Sequence, residues 1–234
     1  MNNDYGQNYV VNQEAEPIGE YASKAFGWMF LGLVTTALSA LFITVNSDLM
    51  MLFIRNIYAF YWVAGVELVL VWILSANIQK MSFALSKLLF FVYAALNGIT
   101  FSIIFLVYDF GSIVNVFGLT ALFFGMLALY GYVTKNDLTS IGRVLMFGVY
   151  FLIGFWIVSM FMDLSRYELI VSFVGMLIFL GLTAYDTQKI KHYYYYYQND
   201  PAMLKKASII SALQLYLDFV NLFLYILRIL GKKR

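Results

Sequence analysis

The sequence predicts an all-α integral membrane protein, and two observations support this fold class. Of the 234 residues, 62% are hydrophobic and only 12% are charged, whereas soluble domains have about 45–50% apolar and about 25% charged residues. The apolar residues also form runs of about 20, the length with which a helix crosses about 30 Å of hydrocarbon. A transmembrane β-barrel would instead show segments of about 10 residues with alternating polarity. We therefore expect a helical bundle.

Seven apolar segments account for nearly the whole chain after a polar start. Residues 1–25 are predicted to be a polar tail, because they contain four acidic residues. They lack the basic start and apolar core that mark a signal peptide. Residues 26–234 are predicted to form one seven-helix membrane domain. The longest linker, 189–206, holds five consecutive tyrosines typical of an interfacial aromatic belt. The predicted spans are 26–45, 57–76, 88–108, 112–133, 143–162, 168–188 and 207–230.

The basic residues of the short loops predict a cytoplasmic N-terminus. With that orientation, nine lysines and arginines lie in the inside segments and only Arg55 and Arg166 lie in the outside loops, as the positive-inside rule requires. Seven spans, however, place the basic C-terminus from Arg228 to Arg234 outside. A re-entrant last segment would return it to the cytoplasm, so both arrangements stay open at this stage.

Composition excludes several classes of function. The 15 basic and 13 acidic residues are thinly spread and leave a net charge of +2, so we expect no nucleic-acid partner. The chain has no cysteine, which excludes thiolate sites and cysteine nucleophiles. It has a single histidine, which excludes a multi-histidine metal centre. We expect no enzyme activity and no required cofactor.

Three acidic residues lie inside predicted spans, where a charge costs about 2.5–3.5 kcal/mol on insertion scales. Glu67 lies in the middle of the second span, Asp186 near the end of the sixth, and Asp218 in the middle of the seventh. Ionisable residues at such depth mark candidate functional sites.

The seventh span carries a polar stripe at helical spacing, made of Gln214, Asp218, Asn221 and Tyr225. These residues share one face of a helix, so we expect this span to be buried among the others and to line a polar path. The alternative is a hydrogen-bond network that only fixes packing.

Asp186 and Asp218 are predicted to act as a pair. Two carboxylates at close range do not both ionise cheaply and share a proton. Protonated, they would hold the sixth and seventh spans together; deprotonated, they would separate or bind a divalent cation such as calcium through oxygen ligands. A Tyr-Asp on one helix and an Asp on the next is also the layout of intramembrane aspartyl proteases, but Tyr216 and Leu217 stand where those enzymes have Gly-x-Gly.

Several stretches resemble the Bax inhibitor one family (the transmembrane Bax inhibitor motif proteins) in its bacterial branch. The strongest are residues 181–191 (GLTAYDTQKIK) and 215–223 (LYLDFVNLF). Residues 130–132, Lys135, 137–138 and 227–231 add to them, and the resemblance covers nearly all of the chain after the tail.

The resemblance implies a seven-helix bundle with its last, semi-polar helix at the centre, in the bacterial inner membrane, and a pH-sensitive calcium leak. It implies that Asp186 and Asp218 are the pH sensor, that Glu67 lies along the pore, and that a basic residue after the second helix supports the closed state. Lys80 is the candidate for that last role, although the family has arginine.

Our first hypothesis is therefore a calcium leak channel that responds to protons, with Asp186 and Asp218 as gate and Glu67, Gln214 and Asn221 lining the pore. The second is a non-enzymatic regulator that binds a membrane-bound quality-control protease or acts in a stress or cell-death pathway, as some family members do. A third is a proton-coupled exporter that uses the same acids.

Overall fold

The computed structural model describes residues 16–234, with only the backbone described at 57 and 60. Residues 1–15, most of the predicted tail, lie outside the described part of the chain. Nearly all of the described residues are helical, and a short 3₁₀ turn at Ser165–Tyr167 precedes α8. The helices are α1 (Ile18–Val45), α2 (Ser47–Arg55), α3 (Ile57–Asn77), α4 (Phe83–Phe101), α5 (Ile104–Val107), α6 (Phe110–Val133), α7 (Thr139–Ser159), α8 (Glu168–Tyr197) and α9 (Pro201–Leu230).

The all-helical membrane fold is confirmed, whereas the count of seven spans is not. Six helical segments of the described chain are long and apolar enough to cross a membrane: α1, α4 with α5, α6, α7, α8 with its 3₁₀ turn, and α9. The predicted second span coincides with α3, but its apolar stretch Tyr61–Asn77 is shorter than the others. A seventh crossing by α3 stays a prediction.

Several helices extend beyond the apolar spans predicted for them, most of all α1 and α8. α1 begins at Ile18 and not at residue 26. The prediction that 189–206 is a linker is wrong except at 198–200, because α8 continues through the tyrosine run to Tyr197 and α9 begins at Pro201. The two extensions support each other. The ring of Tyr21 lies 5.8 Å from that of Tyr194, and the Tyr194 hydroxyl donates to the Glu16 carbonyl oxygen at 2.6 Å. Burial at the bundle end therefore stabilises helical turns that hydropathy alone assigns to loops.

Close contact between α1 and α4 depends on small residues. A Cβ at Gly98 would lie 2.5 Å from the carbonyl oxygen of Thr36, and one at Gly32 would lie 2.6 Å from the ring of Phe90. Gly32, Thr36 and Ala40 form a stripe along the buried face of α1. This stripe is the small-residue helix interface typical of membrane proteins.

α9 lies at the centre of the bundle, as predicted for the last span. It packs against α1, α4, α6 and α8. Of the 18 residues in its most apolar stretch, 67% are buried, whereas the figure for α7 is 11%. Asp200 caps its first turn by accepting from the Met203 N–H at 3.0 Å, and Pro201 occupies the first helical position, where no N–H is needed.

The C-terminus lies at the opposite end of the bundle from the start of α9. α9 is one unbroken helix, so the described structure contains no hairpin in this segment. The last residues pair with the turn before α6: the Asp109 N–H donates to the Lys232 carbonyl oxygen at 2.9 Å, and the Arg234 N–H donates to that of Val107 at 3.0 Å. The structure therefore shows no re-entrant hairpin in this segment, and the side of the membrane on which the C-terminus lies stays a prediction.

Candidate functional site

The candidate site is built between α8 and α9, the most extensively packed pair of helices in the bundle. Asp218 lies in the middle of α9 and is 3% exposed. Its Oδ2 is buried and has no hydrogen-bond partner among the described residues. A buried carboxylate oxygen without a donor is costly, so this atom is a place where a proton, a cation or a water molecule would bind.

Asp186 approaches the same region from α8. Its side chain is 12% exposed, and its Oδ1 lies 3.5 Å from Nζ of Lys189, one turn further along the helix. The Lys189 ammonium also lies 5.6 Å from the ring centres of Tyr185 and Tyr193. One acid of the predicted pair therefore has a basic neighbour.

The structure brings Asp186 and Asp218 into one electrostatic site. The Asp218 carboxylate interacts through charge with Asp186 and with Lys189. Asp218 Oδ2 has no donor among the described residues, so a proton shared with Asp186 would give this oxygen the partner that it lacks.

The polar stripe of α9 faces α8 along its length. The Tyr225 ring packs on Gly175, where a Cβ would lie 2.5 Å from it, and stacks on Phe179 of α8 at 5.9 Å. Gln214, one turn before Asp218, has a buried Oε1 without a described partner. Asn221 instead donates from Nδ2 to the Leu217 carbonyl oxygen at 2.8 Å, within its own helix. The α8–α9 interface thus concentrates acceptor oxygens that lack donors.

Glu67 is held on a different side of α9 from the two aspartates. Its Oε2 accepts from Nδ2 of Asn97 on α4 at 3.2 Å, while its Oε1 is buried without a described partner. Asn97 Oδ1 in turn accepts from the Tyr216 hydroxyl at 3.2 Å. Tyr216 and Asp218 are two residues apart on α9, about 200° around a helix of 3.6 residues per turn. The structure therefore does not place Glu67 beside the aspartate pair.

Lys80, the basic residue that the resemblance suggested for the closed state, is exposed in the turn after α3. The amine that lies near Asp186 is that of Lys189. Lys189 follows Asp186 by three residues, a spacing that allows an ion pair once the helix continues to it, whereas the sequence predicted a linker from residue 189. It does not show which of the two lysines the bundle brings to the acid.

Two other residues of the motif at 181–191 hold the turn between α6 and α7. Gln188 accepts from the Leu138 N–H at 2.8 Å and donates to the Asn136 carbonyl oxygen at 2.7 Å. Lys191 Nζ donates to the Tyr132 carbonyl oxygen at 2.7 Å, at the C-terminal end of α6, where a cation is favourable. These contacts are structural and fix α8 against α6 next to Asp186.

Calcium would find an incomplete set of ligands at this site. Calcium takes six to eight oxygen ligands, and the described residues contain no group of three or more acidic, histidine or cysteine side chains that would bind a metal. Asp186, Asp218 and Gln214 would supply side-chain oxygens, and water would have to supply the rest.

Comparison with known proteins identifies the family. Residues 19–234 match the family model described as inhibitor of apoptosis-promoting Bax1. The chain belongs to the Bax inhibitor-1 family. Its relatives within the family include the inner membrane protein YbhL of Escherichia coli K12, which is 40% identical over 215 residues that cover 92% of each chain. An uncharacterized protein of Borreliella burgdorferi is 37% identical over 227 residues, covering 96% of this chain and 98% of that one.

The resemblance stated from the two aspartate motifs is therefore confirmed, as is the cellular location. The described part of the chain has six helices able to cross a membrane, and a relative in the family is named as an inner membrane protein. The chain is therefore a multi-pass inner membrane protein.

Proposed function

We propose that this Bax inhibitor-1 family protein is a passive calcium leak of the inner membrane, with Asp186 and Asp218 as its proton-sensitive gate. The observation that supports the proposal is that α8 and α9, the most extensively packed pair of helices, each carry a largely buried acid, Asp186 and Asp218. One of their oxygens, Asp218 Oδ2, is buried without a donor. No chemical reaction and no resident cofactor are part of the proposal.

Protonation would close the path, because a protonated carboxyl group donates a hydrogen bond to its neighbour and so joins α8 to α9. Deprotonation would leave two negative charges in a medium of low dielectric constant, where they repel each other strongly. Lys189, 3.5 Å from Asp186, would offset only part of that repulsion. The two helices would then separate, and calcium would meet carboxylate and amide oxygens, the ligands that it prefers.

We assign the basic residue that acts on the aspartate pair to Lys189 and not to Lys80. Its effect is opposite to the closed-state support that the resemblance implied, because it favours the ionised and therefore open form of the pair. An ammonium group beside one acid favours the ionised form of that acid, so Lys189 sets the pH at which the pair releases its proton. Lys80 is exposed in the turn after α3 and would act only at long range.

The path would follow the polar stripe of α9 along α8. Gln214 and Asn221 lie one turn before and about one turn after Asp218 and would line it. Glu67 lies on the other side of α9, where it contacts Asn97, so in this proposal it would act on the path through α9 and not line it directly. The start of α9 would face the cytoplasm, with the N-terminus of the chain.

Calcium flux into proteoliposomes, measured over a series of pH values, tests the proposal. Flux should rise as the pH rises, since deprotonation opens the gate. Asp186→Asn and Asp218→Asn each remove one titrating group and should abolish most of the pH dependence. Asp163→Asn is the matched control, because Asp163 lies exposed in the turn between α7 and α8 and bonds only to Ser165. Flux that is indifferent to pH and to both gate variants would contradict the leak.

A further inference from the structure

Polar side chains of four helices form one continuous hydrogen-bonded chain on the side of α9 that faces α1 and α4. Glu67 accepts from Asn97 at 3.2 Å, Asn97 accepts from Tyr216 at 3.2 Å, and the Tyr216 hydroxyl lies 2.6 Å from Oγ1 of Thr36. Thr36, Asn97 and Tyr216 are all buried. We call these four residues the Glu67 relay.

The direction of the hydrogen bonds in the relay depends on Glu67. An ionised carboxylate only accepts, whereas an amide offers an acceptor at one end and donors at the other, and a hydroxyl does both. With Glu67 ionised, Asn97 must turn its Nδ2 to the carboxylate and its Oδ1 to Tyr216. That is the observed arrangement, in which the Tyr216 hydroxyl donates to Asn97.

Protonation of Glu67 allows the same four residues to bond in the opposite direction. The carboxyl O–H then donates to Asn97 Oδ1 once the amide has turned by half a rotation, and Nδ2 donates to the Tyr216 oxygen. Tyr216 can then donate to Thr36, which already lies within 2.6 Å, and Thr36 donates to the Ala94 carbonyl oxygen, 2.9 Å away. Each hydrogen stays on its own heavy atom apart from the proton that Glu67 takes up. Both states keep every hydroxyl and the amide bonded, so they are comparable in energy.

We propose that Asn97 and Tyr216 are positioning residues that transmit the protonation state of Glu67 to α9. Tyr216 precedes Asp218 by two residues and points to the other side of the helix. α9 therefore receives two separate proton signals, one from α8 through the aspartate pair and one from α3 through the relay. The consequence for ion flow rests on the proposed leak, whereas the relay itself does not.

Few other titratable groups face Glu67 from the helices packed around it. On α4 they include Tyr93, and on α9 Tyr216, both of which interact with Glu67 through charge. The Tyr93 and Tyr216 rings meet edge to face at 5.8 Å. A tyrosine ordinarily titrates near pH 10 and a glutamate near pH 4, so within this group Glu67 is the residue that responds to pH in the physiological range and below it.

Infrared difference spectra of the full-length protein in lipid vesicles, recorded between about pH 3 and about pH 8, test the relay. The tyrosine C–O stretching band changes when a hydroxyl exchanges its donor and acceptor partners. We expect a pH-dependent shift that disappears in Tyr216→Phe, which assigns it to Tyr216. The shift should also disappear in Glu67→Gln, because glutamine cannot take up the proton. It should persist in Asp186→Asn.

Two further variants make the test specific. Tyr225→Phe removes a hydroxyl from the same helix at a ring that packs on Gly175, and it should leave the Tyr216 shift unchanged. If Tyr216→Phe does not fold, Thr36→Val removes the acceptor at the far end of the relay and should reduce the shift. A Tyr216 band that does not change with pH, or that shifts equally in Glu67→Gln, would overturn the relay. The spectra need no ion flow, so an intact shift without calcium flux would contradict the leak alone.

Discussion

The two sides of α9 differ in how their polar atoms are paired. On the side facing α1 and α4, the Tyr216 hydroxyl has a neighbour in Thr36 and another in Asn97. On the side facing α8, Asp218 Oδ2 and Gln214 Oε1 are buried without described partners. An interior with paired groups stabilises one packing, whereas acceptors without donors need a proton, a cation or water. The difference concerns the atoms of α9 itself, because Glu67 Oε1, beyond Tyr216 on the α1 and α4 side, is also buried without a described partner. Each side of α9 therefore holds an acid that can take up a proton, but only on the α1 and α4 side is the α9 side chain already hydrogen-bonded.

The largest effect is expected on stability, at the close contact between α6 and α8 beside the acid pair. A Cβ at Gly131 of α6 would overlap the carbonyl oxygen of Ala184, close to Asp186. Because backbone cannot move aside as a side chain does, Gly131→Ala should lower the free energy of unfolding by about 1–3 kcal/mol. Thermal unfolding in detergent measures this.

Gly125→Ala is the control for that variant, since it lies on the same helix with nothing within 4 Å of the new Cβ. It should be neutral or stabilise by about 0.5–1 kcal/mol, the helix preference of alanine over glycine. Equal stability of the two variants would show that α6 and α8 are not as close as the structure places them.

An intermediate effect is expected at Lys189, the only basic group of the α8 side within 4 Å of Asp186 in the described structure. Lys189→Met removes a positive charge that favours the ionised acid, so a higher pH is needed to deprotonate the pair. The flux profile should move to higher pH by about one unit. In a protein that already carries Asp186→Asn, Lys189→Met should move the flux profile much less, because the effects of substitutions at two residues in contact are not additive. A profile that moves to lower pH would contradict this electrostatic role.

The smallest effect is expected on the paired side of α9. Tyr216→Phe keeps the ring contacts with Phe90 and Tyr93 and removes one buried hydroxyl, so unfolding should become easier by only about 0.5–1.5 kcal/mol. Denaturation in mild detergent, with Tyr225→Phe measured beside it, checks the value. A loss of several kcal/mol would mean that this side is essential to the fold and does not merely anchor α9.

The sequence predicted the helices well where hydropathy changes sharply and poorly where packing extends them. The predicted span 112–133 agrees closely with α6, Phe110–Val133. The tyrosine run, in contrast, was predicted to be a linker and is helical, because Tyr194 is buried against Tyr21 from the other end of the chain. No local pattern contains that contact.

The candidate site was also predictable in part. Asp186, Asp218 and the stripe with Gln214 follow from the cost of polar groups at membrane depth, and the structure places Asp186 and Asp218 on the two helices that pack most extensively, α8 and α9. Lys189 and Asn97 were visible as polar residues near or within spans, but their partners belong to the packing. Sequence spacing does not show that Asn97 joins Glu67 to Tyr216, since those contacts link three helices.

The sequence by itself determined that this chain is a helical membrane protein, that it belongs to the Bax inhibitor-1 family, and that a few acids lie within its apolar segments. Those properties depend on composition, helical period and short motifs, all of which are local. Only the tertiary structure decided that Glu67 and the aspartate pair lie on opposite sides of α9 and that Lys189 is the basic neighbour. The physical reason is that the rotation and approach of each helix are set by its neighbours, through close contacts such as Gly131 on Ala184, and these are not encoded within any one segment.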